Sequence, residues 1–125
     1  MLRLEATLSE ILLRHDAGVW GDDDPDNGVS VLRSTNIRND GTIDFSNLAM
    51  RAVPADKRQS KLLLPGDIIL ENSGGGPRQP VGRVCYFAGD HRDHVVGNFC
   101  RRLRANTEVV LPRFLFWKLF YAHAS

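Results

Sequence analysis

Apolar and polar positions alternate along this chain with periods that change from segment to segment. The clearest apolar run is Ile68-Ile69-Leu70, which reads as a buried strand. It follows Pro65-Gly66, a pair suited to a type II turn. Residues 71–79 are polar and glycine-rich, and a second strand is predicted over 81–87. Upstream, Leu8, Ile11 and Leu12 recur at helical spacing, and Thr7-Leu8-Ser9-Glu10 resembles a capping box, so a helix is predicted over 6–14. Residues 29–37 read as a strand. Asn39-Asp40-Gly41 then predicts a hairpin with a type I′ turn and a strand returning from Thr42. The pattern over 46–53 fits either a strand or an irregular crossing. Pro54 opens a short predicted helix to residue 63, 95–103 reads as a strand, and Pro112 opens a helix to residue 122. The sum is a mixed α/β (α+β) fold with a twisted, largely antiparallel sheet and short helices, one at each end.

A length of 125 residues predicts one domain, spanning 1–125. The hydrophobic share of 42% and charged share of 25% are those of a water-soluble globular chain. No apolar run approaches the ~20 residues of a membrane helix, and no secretory signal is apparent at the N-terminus. Cys85 and Cys100 lack metal-ligand spacing and read as two buried thiols, which points to a reducing cytoplasm. The net charge of +1 conceals an asymmetry. Residues 1–28 hold two basic and seven acidic residues, whereas residues 29–125 hold fourteen and eight. Thirteen of the sixteen basic residues are arginine, whose planar fork suits phosphate and guanine edges, so the longer section leans toward an anionic partner.

Candidate chemistry is sparse. Asp22, Asp24 and Asp26 alternate like calcium ligands, but Gly28 falls one place late and Arg33 stands where a bidentate glutamate is required, so a solvated acidic loop is expected. Trp20 is expected to anchor that loop to the core. His91 and His94 would need a helix to face one metal ion, and their surroundings read as extended. The glycine run is no phosphate-binding loop, since no Lys-Ser/Thr pair follows it. No nucleophile elbow, zinc-protease motif, Cys-x-x-Cys pair or dinucleotide fingerprint is present. Asp67 and Glu71 flank the apolar strand and are the one pair on which a metal-dependent nuclease could be built. No cofactor is indicated. The loop after Leu70 carries side chains of another kind. Asn72, Ser73, Arg78 and Gln79 are suited to hydrogen-bonding base edges or phosphates, and Gly74, Gly75 and Gly76 admit a close backbone approach. Arg38, Arg83 and one or more of Arg101, Arg102 and Arg104 are the expected phosphate contacts.

The order of several short motifs resembles the target recognition domain of a type I restriction–modification specificity subunit. These are Val31-Leu32-Arg33-Ser34-Thr35-Asn36-Ile37, Asp40-Gly41-Thr42-Ile43-Asp44-Phe45-Ser46, Leu64-Pro65-Gly66-Asp67-Ile68-Ile69-Leu70, Ser73-Gly74-Gly75-Gly76, Val81-Gly82-Arg83-Val84 and Pro112-Arg113-Phe114-Leu115. The resemblance covers roughly residues 10–121. It implies a non-catalytic domain that binds one half of a bipartite double-stranded DNA target, with Asn36, Arg38, Asn72, Ser73, Gly74, Gly75, Gly76, Arg78, Gln79 and Arg83 toward the DNA. It further implies partner subunits in a full complex, a methyltransferase using S-adenosylmethionine and an ATP-dependent restriction motor. A complete specificity subunit has two such domains joined by long helices. This chain stops after its terminal helix and is expected to correspond to one half, without the spacer helices. The competing expectations are a protein- or ligand-binding module and, more remotely, the nuclease built on Asp67 and Glu71.

Overall fold

A computed structural model describes residues 10–72 and 82–124. Two sheets face each other across an apolar layer. The first has four strands in the order β1 (Leu12–Ala17), β7 (Cys100–Ala105), β4 (Ile68–Glu71) and β5 (Val84–Tyr86), all antiparallel. The second has the order β3 (Ala49–Arg51), β2 (Val29–Leu32) and β6 (His94–Val96), in which β2 and β6 run parallel. Helix α1 (Ala55–Ser60) links β3 to β4, and helix α2 (Pro112–Ala124) closes the outer face of the first sheet. The mixed α/β class and largely antiparallel sheet core expected from the sequence are what is observed. No helix among the described residues is long and apolar enough to cross a membrane.

Strand alternation divides the core cleanly. Ile69, Cys85 and Cys100 point between the sheets and meet Leu32, Ile37, Ile43, Leu63, Phe87 and Val96. Their neighbours Ile68, Val84, Leu103 and Ala105 point the other way, onto Leu115 and Phe116 of α2. A third cluster, Val19, Val29, Val31 and Val95, fills the far face of the second sheet. Both thiols are fully buried, as expected.

The turn before β4 forms as predicted: the amide of Asp67 donates to the carbonyl of Leu64 at 3.0 Å, with Gly66 at φ +99°. Other expectations change. Of the helix predicted over 6–14, Glu10 and Ile11 are helical, and from Leu12 the chain is strand β1, because the exposed edge of β7 satisfies the backbone of residues 12–17 more fully than a longer helix would. The strand predicted over 29–37 ends at Leu32 and turns into a 3₁₀ segment, Ser34–Asn36. The strand predicted over 95–103 is two strands, broken where the amide of Cys100 bonds back to the carbonyl of Gly97 at 3.0 Å. At Asn39-Asp40-Gly41 the chain reverses with a different turn, and the strand expected from Thr42 is reduced to a single bridge between Ile37 and Ile43. Only Gly41 has positive φ, at +87°; its amide reaches the carbonyl of Arg38 at 3.0 Å, and the amide of Arg38 reaches the carbonyl of Thr42 at 2.9 Å. That is a three-residue loop with glycine in the left-handed position, not the two-residue type I′ form.

One crossing draws the two sheets together. The amide of Gly18 bonds to the carbonyl of Cys100 at 3.1 Å and that of Val19 to the carbonyl of Val96 at 2.9 Å. A Cβ at Gly18 would collide with the backbone carbonyl of Gly97, so only glycine fits.

Candidate nucleic-acid interface

Strands β4 and β5 form the hairpin whose loop was singled out in the sequence. Ser73, Gly74, Gly75, Gly76, Arg78 and Gln79 lie outside the described residues. The base of the loop is described in full, and it is held tightly. The amide of Glu71 donates to the carbonyl of Arg83 at 2.9 Å, the amide of Gly82 to the carbonyl of Glu71 at 2.8 Å, and the amide of Asn72 to the carbonyl of Phe99 at 3.0 Å. The loop therefore leaves and re-enters the domain from fixed positions.

Arg83 completes this base and does not face solvent. Its guanidinium donates to both carboxylate oxygens of Glu71 at 3.1 and 2.8 Å, to the carbonyls of Ile37 and Ser34 at 3.0 and 3.2 Å, and to Oδ1 of Asn39 at 3.2 Å. The bond to Glu71 raises the arginine pKa further above its ordinary value, against the opposing effect of burial. Expected as a phosphate contact, Arg83 instead pins the 34–39 segment to the loop base. Arg102 and Arg104 are likewise structural. Arg102 forks onto Asp16 at 3.0 and 2.6 Å and reaches the carbonyls of Leu62 and Ser60 at 3.0 and 3.1 Å. Arg104 forks onto Asp67 with both bonds at 2.8 Å. Asn36, also expected toward DNA, is buried. Its amide donates to the carbonyls of Asp44 and Asn47, both at 2.9 Å, while its oxygen accepts from the amide of Arg33 at 2.9 Å. With donors and acceptor so engaged, Asn36 shapes the turn rather than reading a ligand.

Four expected or neighbouring side chains do surround the loop base at the surface. Asn72 is exposed at the end of β4. Arg38, 55% exposed and only 3.7 Å from Asp44, adjoins the Ile37 and Asn39 positions that Arg83 grips. Arg101 pairs in register with Leu70 on the other flank and spends one bond, 2.7 Å, on the carbonyl of His15. Phe99, 56% exposed, stands on the turn whose carbonyl receives the Asn72 amide. Phe99 and its exposed neighbour Asn98 were hidden by reading 95–103 as one strand. The Gly97-Asn98 pair, a common turn signal, is the sequence feature that could have revealed them.

The remaining candidates resolve as follows. Asp67 and Glu71, 1% and 4% exposed, are each gripped by a separate arginine, so they do not form an open carboxylate pair. His94 is fully buried between Ser30 Oγ and Asp90 Oδ2, both at 2.7 Å, and ties β2 to β6, whereas His91 is exposed. Ser30 is itself buried, 1% exposed. Among the described residues no three His, Cys, Asp or Glu are placed to hold a metal ion. Trp20 is 51% exposed under the guanidinium of Arg51, 4.3 Å from its ring centre, and so does not anchor the acidic loop to the core. Comparison with protein-family models and with curated proteins returned no match.

Proposed function

We propose that this chain binds double-stranded DNA sequence-specifically, as the target recognition domain of a type I specificity subunit reading one half of a bipartite site. The observation that carries the reading is the rigid loop base. Two hydrogen-bonded strand ends and a buried arginine clamp hold a segment rich in glycine, arginine and amide side chains, with two accessible arginines on its flanks. Such a base limits the ordering entropy lost when the loop meets its target.

Contacts divide by type. Arg38 and Arg101 engage phosphates and set register, replacing Arg83, Arg102 and Arg104 in that role. Within the loop, Arg78 faces guanine, and Gln79 or Asn72 faces adenine, the pairings that major-groove geometry favours. Phe99 packs an apolar edge against a sugar or thymine methyl. The domain carries no chemistry of its own in this reading; methyltransferase and motor subunits of the complex supply it.

Selection of bound duplexes from a random pool, followed by fluorescence anisotropy over a salt series, tests the proposal. A single enriched motif is expected, with Gln79→Ala relaxing preference at one base pair by about 1–3 kcal/mol. Failure to enrich any motif at low salt, both alone and with the domain restored to a two-domain subunit, overturns it.

A further inference from the structure

Helix α2 carries large apolar residues on its exposed side as well as on its buried one, which one buried face does not require. Leu115 and Phe116 are buried against the first sheet, yet Phe114, Trp117 and Tyr121 are 57%, 41% and 63% exposed on the opposite side. Their spacing of three then four residues is that of a helix–helix seam. The exposed side chains are already ordered against one another: the Trp117 and Tyr121 rings stack with centres 5.7 Å apart. The first turn of α2 sits at the end of the β4–β5 hairpin opposite its loop. Tyr86, on which Arg113 stacks at 3.9 Å, pairs with Ile68 at the end of β4–β5 away from the loop.

Charge selects the occupant. The positions bordering this seam carry Arg113 and Lys118, and α2 contains no acidic residue. A second copy laid parallel would set Arg113 against Lys118, and one laid antiparallel would set like residues against each other. Both arrangements repel. We infer that the outer face of α2 docks an amphipathic helix of a partner protein, with apolar residues along its seam and glutamate or aspartate on both borders. The helix spans about 20 Å, so the contact is small and reversible unless the partner also binds elsewhere.

The test uses two synthetic helical peptides with leucine at the seam positions, one bordered by glutamate and one by lysine. Binding to the full chain carrying Trp20→Phe is followed by Trp117 emission. The glutamate peptide should bind at least about tenfold more tightly, with a blue shift of that emission. Lys118→Glu should narrow or reverse the preference, and Phe114→Ser should abolish binding while circular dichroism stays unchanged. Equal binding of the two peptides, or binding of neither, overturns the inference. So does a concentration-dependent dimer in sedimentation that Phe114→Ser dissolves, or stronger adsorption to phosphatidylserine vesicles than to the glutamate peptide.

Discussion

Replacing Arg83 by methionine keeps most of the apolar stem and removes the fork. Glu71, 4% exposed, loses two charge-assisted bonds, and the acceptors on Ser34, Ile37 and Asn39 lose their donor together. Breaking one side of a buried ion pair costs about 3–5 kcal/mol. Arg83 is 18% exposed, so water recovers part of the loss and the lower half of that range is expected. Urea denaturation followed by circular dichroism measures it: the midpoint should fall with the slope unchanged. In a thermal scan the same loss is on the order of 10 °C. Arg83→Lys keeps the charge but not the planar fork and should fall between. Below the melting transition Arg83→Met should leave the salt dependence of DNA binding intact, whereas Arg38→Ala should lower its slope by about 0.9 without affecting folding. A destabilisation under about 1 kcal/mol, well below the buried-pair range, would refute the clamp, and an altered salt slope in Arg83→Met would return Arg83 to the phosphate-contacting group.

The frame makes further predictions. Gly41→Ala forces a side chain into positive φ, with its Cβ 2.5 Å from Cζ of buried Phe116, and should cost about 1–3 kcal/mol in the same denaturation assay. Burial raises the pKa of Asp16, but the hydrogen bond and charge of Arg102 outweigh it and hold the carboxyl below its ordinary value. The stability this supplies is complete above the unfolded carboxyl pKa, about 4, and is lost as pH falls through the lower folded value. Asp16→Asn should therefore flatten the acid limb of a stability–pH curve and leave the shape near neutrality unchanged. Burial pushes the Cys100 thiol up to about 11 and raises Cys85 further, so neither should react with a thiol reagent at pH 8 until denaturant is added. Rapid labelling of the native chain would contradict the packing between the sheets.

What the sequence disclosed depended on how far apart the interacting residues lie. The Pro65-Gly66 turn, the strand after it and the helix opened by Pro112 are set by neighbours in the chain, and they formed as predicted. Leu12 fits a helix locally, as does Ile11, which is helical, yet residues 12–17 are a strand because their partner, β7, arrives some ninety residues later. The arginine excess misled for the same reason. Whether Arg83 meets a phosphate or a carboxylate depends on Glu71 and on carbonyls at positions 34 and 37, a convergence no local pattern announces. Asn36 is similar, since the carbonyls that occupy it come from Asp44 and Asn47.

The bare contact between Gly18 and Gly97 has a mechanical side. Two main chains touch there with no side chain to cushion them, and Phe99 stands just beyond. Cys100, next in the chain to Phe99, accepts the Gly18 amide, and Val96 accepts that of Val19, so the segment around Phe99 is bonded directly to the end of the first strand. Docking at one corner of the domain should therefore slow deuterium uptake at the amides of residues 18 and 19, well before it is felt at the third strand.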